Sequence, residues 1–173
     1  DDGGGAIFNN GGTLNVLAGT EITNNTANGT AGSGGGIHST TGAVTVTDAI
    51  ITDNIANRAG GGIEIAAGTL TMSGTTLNTI NAGVATAVAA PGKGGGLHLG
   101  GTANATITGG TVDGNIAAAE GGGLWNGMGT MTVDGVPITN NIASGAAADN
   151  GGGGIYNDGG TLDILAGTAI NNN

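Results

Sequence analysis

A run of glycines closed by one aliphatic residue recurs along this chain and leaves few folds open to it. The runs begin at Gly3, Gly34, Gly60, Gly94, Gly121 and Gly151, at intervals of 31, 26, 34, 27 and 30 residues. Ile7, Ile37, Ile63, Leu97, Leu124 and Ile155 close them. Self-similarity at a period of about 20–50 residues is the mark of a solenoid, propeller or array, in which one unit cannot bury its own apolar face.

Each run leads into a short alternating segment: TLNV (13–16), AVTV (43–46), TLTM (69–72), NATI (104–107), TMTV (130–133) and TLDI (161–164). A period of two marks a strand with one face buried. The inward pairs are Leu14/Val16, Val44/Val46, Leu70/Met72, Ala105/Ile107, Met131/Val133 and Leu162/Ile164. A third element follows: ITNN (22–25), ITDN (51–54), LNTI (77–80), VDGN (112–115), ITNN (138–141) and INNN (170–173). Ala27, Ala56, Ala82, Ala117 and Ala143 stand two residues beyond its last position. A loop of variable length comes next, longest over 83–93.

Three short strands and one adjustable loop describe a coil. The expected fold is all-β: a right-handed parallel β-helix of about six coils over 1–173, one domain, with coils starting near 3, 34, 60, 94, 121 and 151. At about 4.8 Å per coil the rod is roughly 28 Å long. The composition agrees. Forty-one glycines with two prolines and no three-residue period exclude collagen. Glycine and asparagine recur too often for helix. Charged residues are only 8% against 38% hydrophobic, unlike a disordered chain.

The last position of the third element is Asn25, Asn54, Asn115, Asn141 and Asn173, with Ile80 the exception. Asparagine carries a donor and an acceptor and tolerates left-handed backbone, so stacked copies make an internal ladder at a corner. Ile80 breaks it unless Asn81 substitutes through a bulge.

GGAI (4–7) followed by ITNN-x-A (22–27) resembles the paired repeat of the chlamydial polymorphic outer membrane proteins, a Gly-Gly-Ala-aliphatic motif alternating with Phe-x-x-Asn. Here Ile37, Ile63, Leu97, Leu124 and Ile155 follow glycine without the alanine, and Ile or Val replaces Phe. The likeness is to bacterial surface β-helix repeats and autotransporter adhesin passengers broadly. It implies an extracellular or cell-surface stalk, rod, filament or adhesin.

Alternation turns one residue of the first strand outward in every coil: Phe8, His38, Glu64, His98, Trp125 and Tyr156. This column holds every aromatic residue and both histidines of the chain. It reads as a recognition stripe for a glycan or host protein, or as cross-strand stacking that stiffens the sheet. His38, Glu64 and His98 have the donor types of a transition-metal site, though two imidazoles flanking a carboxylate is the plainer arrangement. A grid of outward threonines (Thr13, Thr69, Thr130, Thr161 and Thr45, Thr71, Thr106, Thr132) also suits ice binding, or simply strand formation.

Catalysis is not expected. Asp53, Asp113, Asp134, Asp158 and Asp163 fall in different columns or distant coils, no basic residue joins them, and no nucleophile triad or phosphate loop is present. No cofactor is implied. Asp1, Asp2, Asp149 and Asp158 offer carboxylates for weak surface calcium. Twelve acids face only Arg58 and Lys93, a net charge of −10, which argues against nucleic acid and anionic membrane as partners. The chain has no cysteine and no apolar run of about 20 residues for insertion into a membrane.

Asp1–Asn25 and Asp149–Asn173 are identical at 17 of 25 positions. Two arrangements explain this: a window of a longer tandem array with a period of 148 residues, or a subunit whose end coils stack on copies of itself.

Overall fold

The alternation and the glycine corners build what the period requires. The computed structural model describes residues 3–78, 81–82, 92–147 and 150–173. The chain winds as a right-handed, all-parallel β-solenoid, the hand expected of parallel crossovers.

In the first two coils the first and second segments run on as single strands, Ile7–Val16 and Ile37–Thr47. From the third coil they separate, into Ile63–Ile65 and Thr69–Ser73, Leu97–Leu99 and Asn104–Thr108, Leu124–Asn126 and Thr130–Asp134, Ile155–Asn157 and Thr161–Ile164. A second sheet stacks Glu21–Thr23, Ile50–Thr52, Thr76–Asn78, Thr111–Asp113, Pro137–Thr139 and Ala169–Asn171. A third stacks the two-residue strands Thr26–Ala27, Ile55–Ala56, Asn81–Ala82, Ile116–Ala117 and Ile142–Ala143.

The coil therefore has four strand segments where the sequence suggests three. The third element is cut by a residue in left-handed backbone just before the ladder asparagine: Asn24, Asp53, Gly114, Asn140 and Asn172, with φ of 58°, 55°, 64°, 55° and 56°. The ladder asparagine itself is not the left-handed residue. The steric burden falls on its predecessor, where Asn, Asp and Gly are the residue types that carry it most cheaply.

The glycine run makes the opposite corner, and Gly121–Gly123 shows why three are needed. Gly121 sits at φ 64°. A Cβ on Gly122 would drive into the carbonyl oxygen of Gly153 one coil on. A Cβ on Gly123 would come within 3.1 Å of the Asn141 side chain. Glycine run and asparagine ladder thus pack against each other inside the rod.

The core is a narrow aliphatic column. Val44, Val46, Leu70, Met72, Ala105, Ile107, Met131 and Val133 are buried as the alternation predicts, together with the closing residues Ile37, Ile63, Leu97 and Leu124. The first and last coils are less covered: Leu14 and Leu162 are half-buried and Ile164 is exposed. The ladder break expected at Ile80 lies outside the described residues. The register sets Asn81 opposite Ile55 and Ile116, one position beyond the ladder.

Candidate functional site

Strand alternation turns the residue after each closing aliphatic away from the core, and parallel register stacks these residues. Phe8 pairs with His38, His38 with Glu64, Glu64 with His98, His98 with Trp125 and Trp125 with Tyr156. Trp125 lies between His98, 4.2 Å away at an interplanar angle of 19°, and Tyr156, 6.3 Å away at 7°. Phe8 meets His38 edge-on at 5.3 Å.

The column faces outward but is not open. His38, Glu64, His98 and Trp125 are only 5%, 1%, 6% and 5% exposed, and Phe8 alone is near half exposed, at 47%. A ladder of bridges just before the glycine runs, Ser33 to Ala59 to Lys93 to Glu120, lays a second layer across it. Both cations of the chain sit in this layer. Arg58 donates through Nε to Ser33 Oγ at 2.8 Å and through a terminal nitrogen to Glu64 Oε1 at 3.1 Å. The other carboxylate oxygen of Glu64 lies 2.6 Å from His98 Nδ1. Lys93 pairs with Glu120 at 3.1 Å and stands 4.8 Å over the Trp125 ring. Trp125 Nε1 donates to the same Glu120 oxygen at 2.9 Å.

Burial pushes Glu64 up, but the His98 charge and contact, then Arg58 and His38, outweigh it and hold the carboxyl below its ordinary value. Burial lowers His38; Glu64 opposes this and Arg58 adds to it. His38 Nδ1 is buried without a partner. A cavity of about 370 Å³ opens beside it, lined by Ala31, Ser33, His38, Thr40, Arg58 and Ala66.

The expected stripe therefore exists as a stacked column, with a salt-bridged roof over its middle. The sequence reading missed Arg58, Lys93 and Glu120. A signal was present: the two cations of a strongly acidic chain both stand within two residues of the start of a glycine run. Among the described residues no three histidine or acidic side chains converge as metal donors, and Glu64 is taken by Arg58 and His98.

The asparagine ladder is made as expected. Asn25 donates its main-chain and side-chain N–H to Asn54 Oδ1, both at 3.0 Å. Asn115 does the same to Asn141 at 3.0 and 2.9 Å, and Asn141 to Asn173 at 2.9 and 2.7 Å. Each lower amide also reaches back to a carbonyl of the coil before: Asn54 to Ile22, Asn115 to Leu77, Asn141 to Val112 and Asn173 to Ile138.

Of the threonine grid, Thr45, Thr71, Thr106 and Thr132 form one unbroken column. In the other, Ala43 and Asn104 interrupt Thr13, Thr69, Thr130 and Thr161. Of the calcium candidates, Asp158 is exposed on a turn, and Asp1, Asp2 and Asp149 lie outside the described residues.

These features define a parallel β-solenoid repeat protein with an asparagine-laddered core. Comparison with known protein families, with curated proteins and with solved structures returned no match.

Proposed function

We propose that this chain is a structural length of an extracellular β-solenoid, a rod, stalk or filament of a bacterial surface that lengthens coil upon coil. The observation that carries the reading is the asparagine ladder. Its side chains bond one another along the rod axis from Asn25 to Asn54 and from Asn115 to Asn173, and such a ladder serves stiffness along that axis. The likeness of GGAI (4–7) and ITNN-x-A (22–27) to chlamydial polymorphic outer membrane repeats supports the surface location. A net charge of −10 keeps such a rod soluble and apart from like-charged surfaces. Recognition through the aromatic column has less support, since its middle lies under the Arg58–Lys93–Glu120 layer.

The test is surface labelling of cells that make the protein. An antibody against the turn at Met128, which is 65% exposed, labels intact cells if the reading is right. Labelling only after permeabilisation overturns it.

A further inference from the structure

We infer that the cleft beside His38 binds a small hydroxylated carboxylate, the chemistry of an acidic sugar, with Arg58 as the group that holds the acid. Such a site goes beyond the rod reading and stands whether or not the chain is a rod.

The cleft lies between two layers. Its outer wall is the stretch that precedes the glycine runs, where Ser33 is bridged to Ala59 and Arg58 stands beside the bridge. Its inner wall is the outward side of the first strands and the turns after them, with His38 and Thr40 in one coil and Ala66 in the next. Phe8 pairs with His38 on one side and His98 with Glu64 on the other, so described coils flank the cleft in both directions. Small neighbours make the room. Arg58 N–H donates to Gly32 O, and Gly92 N–H donates to Arg58 O, which sets a glycine on either side of the arginine. The volume of about 370 Å³ falls within the roughly 300–1,000 Å³ of small-molecule sites.

Arg58 is fixed before any ligand arrives. Its Nε donates to Ser33 Oγ and one terminal nitrogen donates to Glu64 Oε1. Ser33 Oγ is held in turn, donating to Ala31 O at 3.2 Å. A guanidinium carries five N–H groups, and these bonds use two of them. The second terminal nitrogen has no partner among the described residues, and the side chain is 26% exposed. A planar fork already held in place offers its remaining hydrogens to a carboxylate at little cost in side-chain entropy.

The rest of the lining selects what the carboxylate is attached to. His38 Nδ1 is buried against Gly3, which leaves Nε2 as the nitrogen able to meet a ligand. Burial lowers the proton affinity of this ring, so it adds no charge at pH 7. Thr40 Oγ1 gives its proton to Asn10 Oδ1 at 2.9 Å. It therefore meets the cleft as an acceptor for a hydroxyl group. Ala31 and Ala66 add only methyl groups. The charge balance sets the acid: one guanidinium stands beside Glu64, whose carboxyl is held below its ordinary value and is ionised. A singly charged carboxylate fits this balance, whereas a doubly charged phosphate would meet the Glu64 charge with one cation to offset it. Hydroxyls on the ligand satisfy Thr40 and the imidazole, which an apolar acid leaves unpaired.

The test uses the whole chain and its two histidines. Glucuronate is titrated while the imidazole resonances of His38 and His98 are followed by NMR. At millimolar glucuronate the His38 signals should shift and saturate, and those of His98 should move far less. Glucose, which lacks the acid, and acetate, which lacks the hydroxyls, should each bind at least tenfold more weakly. Arg58→Lys keeps the cation and loses the fork, and should weaken glucuronate at least tenfold. Ala66→Leu fills the cleft without removing a polar group and should abolish the shift. Thr40→Val should weaken glucuronate and leave acetate unchanged. Circular dichroism should be the same in all three variants. A disaccharide ending in glucuronate that binds as well as the free acid makes the ligand a glycan end, and one that is excluded makes it a free sugar acid. An unmoved His38, equal binding of acetate and glucuronate, tighter binding of inorganic phosphate, or full affinity in both Arg58→Lys and Ala66→Leu overturns the site. Failed surface labelling would instead remove the extracellular reading and leave this site standing.

Discussion

Asn141 Oδ1 takes two hydrogen bonds from Asn115, one from its main-chain N–H at 3.0 Å and one from its side-chain amide at 2.9 Å. Both residues are fully buried. Removing one such side chain leaves donors and acceptors with no water to replace it, at a cost of about 1–3 kcal/mol for each orphaned group. Asn141→Ala also takes the amide donor from Val112 O and leaves Asn173 Oδ1 with the main-chain N–H of residue 141 alone. We expect it to lower stability by roughly 3 kcal/mol or more. Asn28→Ala, on an exposed residue, should change it by less than about 0.5 kcal/mol. Urea midpoints of the two variants decide this, and equal midpoints would show that the ladder is not a stabilising element.

The left-handed residue before the ladder gives a second expectation. Asp53 is exposed and holds φ at 55°. Glycine takes this conformation without penalty, whereas a β-branched residue does not. Asp53→Gly should be close to neutral, and Asp53→Val should cost about 1–2 kcal/mol. Thermal unfolding of the pair separates a backbone cause from a side-chain one, because both substitutions remove the carboxylate.

Much of this architecture was legible in the sequence because it is periodic. Alternation named the buried pairs, and the recurrence of Asn25, Asn54, Asn115, Asn141 and Asn173 named the ladder before any coordinate. The left-handed turn was placed one residue too late because asparagine suits both jobs; only the dihedral angles separate Asn24 from Asn25. The outward column was named residue by residue, yet its burial was not foreseen. Alternation says which way a side chain leaves its sheet and nothing about what crosses above it. The covering residues Arg58, Lys93 and Glu120 sit in the stretches of variable length, where no period constrains them. The role of Arg58 follows from the burial of Glu64, whose charge requires a partner.

The same buried column should make the rod acid-sensitive in two steps. His38 is held below its ordinary value of 6.5 by burial, with Glu64 opposing. The unfolded chain therefore takes that proton first, and stability begins to fall as pH drops through 6.5. Burial raises Glu64, but His98, Arg58 and His38 outweigh it and hold the group below 4.5. The stability it contributes is full above 4.5 and is lost as pH falls through the lower folded value. Urea midpoints measured from pH 8 to pH 3 should show both losses. His38→Gln should remove the upper one and Glu64→Gln the lower. A profile unchanged by either variant would mean that these groups do not set the acid response.

Trp125 is the only tryptophan of the chain and reports directly on the roof. Its ring is stacked on His98, its Nε1 donates to Glu120 at 2.9 Å, and Lys93 stands over its face. Glu120→Ala takes away the indole acceptor and the partner of Lys93 together. The covering segment then loses its two polar anchors at this coil, and water reaches the ring. We expect a red-shifted emission maximum and faster acrylamide quenching, with the β-sheet signal in circular dichroism retained because the parallel pairs from Leu97 through Leu124 to Ile155 are untouched. Glu120→Gln keeps an acceptor for the indole while giving up the charge pair, so it should sit between wild type and Glu120→Ala. Identical quenching in all three proteins would show that the backbone bridge at Lys93 and Glu120, not the side chains, holds the roof in place.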